Sequence, residues 1–313
     1  MKILITGVNG FIGCHLAAKL VKNDYDVIGL DCFNSSAPNW LNKIRSEYAS
    51  VKTLACDICD VESLRVIFKE YRPEVVVHLA SKTGVAEAER DKLVYNNINI
   101  NGLINIINVC RDTHVKHLIY ASSSSVYGNY EGSVIETTQL NPIGHYGVTK
   151  VIAENLLMDF YKLCSANITV VRPFTVFGPM GRPDMAPWIF SDAIINGRVI
   201  NLHDESARDF TYIDDVVKAF QNIIKRKLSG FNIINIASGK PHKTSDLINE
   251  LSLILKFNPK IEIVELPPFM PRLSHANISK AKSLINWQPE VNFKDGVEEF
   301  VLWYLRNNQK PSP

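Results

Sequence analysis

The 313-residue chain is 46% hydrophobic and 21% charged, with 34 Lys and Arg against 32 Asp and Glu. A formal charge of only +2 argues against a nucleic-acid binder with a broad basic field, and against an acidic disordered chain. The length predicts two domains or one large one, burying about three quarters of the unfolded surface without staples.

In chain order, short β-branched runs predict strands at Lys2–Thr6, Asp26–Leu30, Val51–Ala55, Glu74–Leu79, His117–Ala121 and Ile168–Arg172. Several are nearly continuous apolar runs, as suits strands covered on both faces. Between them, apolar residues at three- and four-residue spacing predict helices at Phe11–Lys22, Glu62–Tyr71, Asn96–Thr113 and Tyr146–Cys164. Such alternation implies right-handed crossovers and a parallel sheet. After Arg172 the rhythm changes, and Pro173, Gly178, Pro179, Gly181, Pro183 and Pro187 predict a loop leaving the sheet. Asp214 and Asp215 then open a helix that closes with Lys225, Arg226, Lys227 and Gly230, so the basic triplet is a helix end. The region 239–310 mixes helices with a strand at Ile261–Val264 and ends in an amphipathic helix near 293–307.

The first apolar run breaks at Gly7, too soon for a signal peptide or a span, and no long apolar run follows. A cytoplasmic protein is expected, with no membrane or nucleic-acid partner. The six cysteines form no disulfide framework, and the Cys56–Cys59 CxxC lacks a second pair at zinc spacing. His114 and His117 flank a turn without an HExxH. No metal site is expected.

The first strand runs into Gly7-Val8-Asn9-Gly10-Phe11-Ile12-Gly13 and then into a helix. Gly7 permits a tight turn, Gly10 lets a pyrophosphate approach the backbone, and Gly13 lets the helix pack close to the sheet. The phosphates of a dinucleotide would sit on the helix N-terminus, where free N–H groups and the dipole favour an anion. Asp31 ends the second strand, where an acid accepts from a ribose 2′-hydroxyl and repels a 2′-phosphate. NAD is therefore favoured over NADP. Asp57 can bond an adenine amino group or start the next turn.

Tyr146 and Lys150 form a YxxxK pentad at the start of a predicted helix, and the i, i+4 spacing puts both on one face. A free phenol is a poor base near neutrality, and a neighbouring ammonium moves it toward a useful range. Ser122, Ser123, Ser124 and Ser125, followed by Val126-Tyr127-Gly128, place hydroxyls at the carboxyl edge of the predicted sheet.

Together these segments resemble an extended short-chain dehydrogenase/reductase, specifically a nucleotide-sugar epimerase of the UDP-galactose and UDP-glucuronate 4-epimerase type. The resemblance covers Gly7–Gly13, Asp31, His78-Leu79-Ala80, Asn99, Ser122–Gly128, Tyr146–Lys150, Arg172–Pro179 and Arg208–Asp215. The stretch Gly178–Ala186 is similar to uronate 4-epimerases in particular. The resemblance implies an α/β fold: a Rossmann-like doubly wound parallel sheet with a smaller α+β substrate-binding domain. The first would comprise 1–173 plus about 209–238, the second about 174–208 plus 239–313.

The resemblance further implies that Ser123 contacts the sugar's 4-oxygen, Tyr146 is the base, and Lys150 holds the nicotinamide ribose and lowers the tyrosine pKa. Phe11, Ile12, Ile58, Leu79, Ala80, Asn99 and Ser122 would join the glycines, Asp31 and Asp57 around NAD. Arg208 would clamp the nucleotide diphosphate, with Ser124, Thr175, Arg182 and His275 as further contacts to a UDP-sugar. A homodimer through the helices near 96–113 and 146–165 is implied as well. Departures leave the sugar open. The dehydratase and decarboxylase acids are Ser124 and Ser125 here, and two positions that are commonly basic in uronate 4-epimerases are Ile189 and Ala86. His275 stands at the family's usual Tyr, and His145 directly before Tyr146 is also unusual. A nucleotide-sugar reductase, an other-position epimerase and a non-catalytic NAD-binding regulator are the alternatives.

Overall fold

Strands that are apolar on both sides require cover on both sides, and the chain's crossovers supply it. The structure, a computed structural model, describes residues 1–33, 51–164, 166–203 and 206–308. Strands β1 (Lys2–Thr6), β2 (Asp26–Asp31), β3 (Lys52–Ala55), β4 (Val75–His78), β5 (His117–Ala121) and β6 (Asn167–Pro173) follow one another through the first half. Three short strands, β7 (Thr175–Phe177), β8 (Val199–His203) and β9 (Ala207–Arg208), lead to β10 (Phe210–Tyr212), β11 (Phe231–Ile236), β12 (His242–Lys243) and β13 (Lys260–Val264). The main sheet has seven strands in the order β11-β6-β5-β4-β1-β2-β3, every pair parallel.

The winding reverses between β1 and β4, which opens a crevice at the carboxyl ends of those strands. Alternate residues face opposite cores. Ile3, Ile5, Val75 and Val77 join one cluster with helices α1 (Phe11–Val21) and, far along the chain, Ile213–Arg226. Leu4, Val76 and Leu118 join the other, beneath α2 (Val61–Tyr71). The first cluster runs on to Phe190, Leu247 and Phe300, so the smaller unit shares a continuous core with the sheet.

The remaining helices carry the site. After α3 (Val85–Arg90) and α4 (Lys92–Asn96), the predicted helix at 96–113 divides into a π turn at Asn97–Asn101 and α5 (Gly102–Asp112). The extra residue in that turn accompanies Asn99, whose amide is bonded to the loop after β4. Next come α6 (His145–Leu163), α7 (Ala186–Ile195), α8 (Ile213–Arg226), α9 (Thr244–Leu255), α10 (Ser279–Ile285) and α11 (Phe293–Asn308). The predicted strand at 261–264 is β13, and it pairs with β8 in a separate two-stranded sheet. Among the described residues no helix is long and apolar enough to cross a membrane.

His117 in β5 is buried with its Nε2 at 2.9 Å from the Thr169 hydroxyl. Burial lowers its pKa to about 4. Below pH 6.5 the unfolded chain takes up a proton that the folded chain refuses until about pH 4. Folding stability should therefore fall as the pH drops through that window, by about 3 kcal/mol from this residue. His117→Gln should flatten the fall by a comparable amount in urea unfolding measured from pH 7 to 4.

Candidate active site

The cofactor end is built where β1 meets α1. Gly7 has φ +71°, and a Cβ there would lie 2.7 Å from the backbone nitrogen of Ala80. A Cβ on Gly13 would overlap the Gly7 carbonyl, which is why the helix packs so close to the strand. The N-terminus of α1 has no side-chain cap and no acid in its first turn. Asp31 accepts from the backbone N–H of Asn9 at 2.9 Å, which fixes its carboxylate beside the glycine loop. Leu79 and Ala80 follow β4, with their N–H groups on the carbonyl and hydroxyl of Thr6. This glycine cradle, free helix end and acid fit a dinucleotide with an unphosphorylated ribose. Asp57 accepts from Cys59 N–H at 2.9 Å, and Ile58 is buried in the core against Gly102.

The reacting end lies where β5 stops and α6 starts. The Ser123 hydroxyl accepts from Ser125 N–H at 3.1 Å, donates to Ser125 Oγ at 3.2 Å, and bears on the Tyr146 phenol. Tyr146 is buried, with the Tyr95 ring edge-on at 6.4 Å. Burial pushes its pKa above the ordinary value, while the Ser123 hydroxyl and the Arg182 charge oppose that. Lys150 is 2% exposed and donates to Tyr120 Oη at 3.1 Å and to the Ala121 carbonyl at 2.9 Å. Burial lowers its pKa to about 7, against the attraction of Glu154. The charge of Arg182 also bears on the phenol, a contribution that the spacing of Tyr146 and Lys150 does not announce. Lys150 Nζ stands 5.7 Å from the Tyr146 ring centroid, held on the sheet side.

On the other flank, Arg182 makes two bonds of 2.9 Å to Asp184, in the loop between β7 and α7. Arg208 donates to the carbonyls of Ala207 and Arg272, and burial lowers its pKa only to about 10, so it stays cationic near neutrality. The adjoining Asp209 accepts from Ser238, Gly239 and Ala276, clasping the segment that carries His275. Ser124 and His275 line one crevice together with Tyr127, Phe174 and Leu273. Thr175 lies opposite Phe210 in the β7–β10 pair.

Residues 3–237 match the NAD dependent epimerase/dehydratase family. The chain belongs to that family. It is 34% identical to a UDP-glucuronate 4-epimerase of Thermodesulfobacterium geofontis over 97% of this chain and 96% of that protein. It superimposes with TM-score 0.92 and 31% identity on the UDP-glucuronic acid 4-epimerase of Bacillus cereus, solved with UDP-glucuronic acid and NAD. That match covers 98% of this chain and 100% of the other. A UDP-glucose 4-epimerase of Thermotoga maritima, solved with UDP-glucose, gives TM-score 0.89 at 29% identity, covering 98% and 99% of the two chains.

Within this epimerase/dehydratase scaffold, two of the expected cofactor contacts are also bonded to the protein itself. The amide of Asn99 accepts from Ser81 Oγ and Lys82 N–H and donates to Lys82 O and Thr149 Oγ1, which takes up both its lone pairs and both its hydrogens. It ties the loop after β4 to the Tyr146 helix. Ser122 donates to Glu154 at 2.5 Å, behind the sheet edge. The His145 Nε2 lies 2.9 Å from the Asn96 side-chain oxygen. Among the described residues no three His, Cys, Asp or Glu side chains converge on a metal position.

Residue patterns missed the support behind Lys150. Arg172 is buried and grips both oxygens of Glu154, at 2.9 and 2.5 Å, and also donates to Tyr127 Oη at 2.8 Å. An Arg inside an otherwise apolar strand was the signal that could have found it. Glu154→Ala would strand a buried guanidinium and should cost about 3–5 kcal/mol in urea unfolding. The double replacement Glu154→Leu with Arg172→Met should cost less than Glu154→Ala alone.

Proposed function

We propose that this chain is an NAD-dependent UDP-sugar 4-epimerase whose preferred pair is UDP-glucuronate and UDP-galacturonate. The observation that carries the reading is the convergence of Ser123, Tyr146 and Lys150 at the end of β5, with the charge of Arg182 bearing on the phenol. Arg182 and Thr175 supply partners for a sugar carboxylate, and the similarity to UDP-glucuronate 4-epimerases supports that choice.

In this reading Gly7, Gly10, Phe11, Ile12 and Gly13 hold the NAD diphosphate, and Asp31 the adenosine ribose. Asp57, Ile58, Leu79 and Ala80 bound the rest of the adenosine half. When bound, NAD supplies a hydride acceptor, and later donor, for carbon 4 of the sugar. Tyr146 removes the 4-hydroxyl proton and returns it after the sugar has turned about its phosphate linkage. Ser123 bonds the 4-oxygen and keeps it beside the phenol. Lys150 binds the nicotinamide ribose and presents a positive charge to the site, and burial keeps water from competing for either proton. Arg208 pairs with the diphosphate of the UDP-sugar, while Ser124 and His275 border the sugar.

The domain division follows the same logic, with 1–173 and 209–238 binding NAD and 174–208 and 239–313 binding the sugar nucleotide. A homodimer is part of the proposal. Leu93, Val94, Ile104, Val148 and Ile152 leave an exposed apolar face on α4, α5 and α6. The free thiols suit a reducing, cytoplasmic location.

NMR of purified protein with a panel of UDP-sugars tests the function, and exchange of UDP-glucuronate with UDP-galacturonate is the expected result. Exchange of only neutral UDP-hexoses would remove the carboxylate reading, and exchange of none would remove the epimerase reading. Tyr146→Phe should retain NAD and lose at least 100-fold in kcat; near-wild-type turnover would remove Tyr146 from its role.

A further inference from the structure

Three neighbouring strands of the main sheet end in polar side chains on one face. Thr6, His78 and Tyr120 are register partners across β1, β4 and β5, and each is at most 2% exposed. Two residues earlier on the same face stand Leu4, Val76 and Leu118, all members of the apolar core. A polar row there is unfavourable unless its groups are bonded to one another or to something else. Thr6 Oγ1 lies 2.7 Å from His78 Nδ1 and also accepts from Ala80 N–H. The His78 ring stacks on Tyr120, with centroids 5.8 Å apart and an interplanar angle of 29°. The row ends at Lys150, whose Nζ lies 3.1 Å from the phenol oxygen and 4.8 Å from the centre of that ring.

We propose that Tyr120 is a positioning residue for Lys150: its oxygen and the Ala121 carbonyl hold two of the three ammonium hydrogens on the sheet edge, and Thr6–His78 braces the ring. This assignment rests on Lys150 serving the epimerisation described above. One N–H of the ammonium then remains for the ligand side of the site. Facing Lys150 are His78 from β4, Tyr120 from β5, Tyr146 and Glu154 from its own helix, and Arg172 from β6 through its bond to Glu154. Burial and the Lys150 charge hold His78 neutral, with a pKa lowered to about 3. Burial holds Tyr120 far above the ordinary phenol range, so it meets Lys150 as a neutral acceptor. Burial of Lys150 itself favours loss of its proton near neutrality. An acceptor on the ammonium opposes that loss, so Tyr120 fixes both the position and the charge of Lys150.

Tyr120→Phe keeps the ring on His78 and removes only the oxygen. The pH dependence of Lys150 acetylation by acetic anhydride, read by peptide mass spectrometry on the full chain, reports the amine without any turnover. The labelling midpoint of the variant should fall by about half a unit or more. The alkaline limb of its kcat profile should move the same way, with kcat down about tenfold at pH 8 and the UDP-sugar KM within twofold. An unchanged midpoint would overturn the assignment. Should Tyr120→Phe not fold, Thr6→Val against Thr6→Ser reads the row from its other end. A midpoint lowered in Thr6→Val and restored in Thr6→Ser supports the row, and equal midpoints in both overturn it. A shifted midpoint in a chain that turns over no UDP-sugar would leave the Tyr120 bond standing and remove the epimerase function instead.

Discussion

Placing an ammonium at the edge of a parallel sheet, almost out of reach of water, constrains much of what surrounds it. Lys150 is 2% exposed, and a buried cation without acceptors gives up its proton. The end of β5 answers with a phenol oxygen and a carbonyl, and the next turn of α6 answers with Glu154. A buried carboxylate raises the same problem with opposite sign, and Arg172 on β6 meets it with paired bonds. The guanidinium in turn needs Tyr127 and the Glu136 carbonyl, and Tyr127 needs Asn235 on β11. One buried amine thus accounts for polar groups on three strands, on α6 and on the segment between β5 and α6.

The cofactor end follows a different constraint, that of close approach. Gly7 and Gly13 bring strand, turn and helix within distances that a side chain would forbid, which leaves backbone N–H groups as the available donors. The two ends are coupled by sheet register. Thr6 immediately precedes the glycine turn and is bonded to His78, and His78 stacks on the tyrosine that holds Lys150. On the opposite flank, Asp209 clasps the β11–β12 connection and the 274–276 segment, which brings Arg208 and His275 from distant parts of the chain together.

Much of this was legible before any fold was known. The glycine turn, Asp31, the serine run and the YxxxK pair all depend on local spacing, and each lies where its motif predicts. The π turn was not legible, because Asn96–Thr113 has helical spacing throughout; the bonds of Asn99 to Ser81, Lys82 and Thr149 accompany it. Asn99 and Ser122 also bond within the protein, to the loop after β4 and to Glu154, which their residue types did not announce. Residue type states what a side chain can bond; it does not state which partner arrives first.

By itself the sequence determined the parallel α/β alternation and the glycine turn, and it placed the serine run and the YxxxK pair at the ends of elements. These follow from periodicity of two or about four residues and from short spacings along one chain. The tertiary structure alone decided that Arg182 bears on the phenol, that Lys150 rests on Tyr120, and that Glu154 and Arg172 stand behind it. Those pairings join residues 18 to 36 positions apart, on different strands, helices and loops, and their strength depends on burial. Burial is a property of the packed molecule, so the charges and pKa directions of this site exist only once the sheet has closed around them.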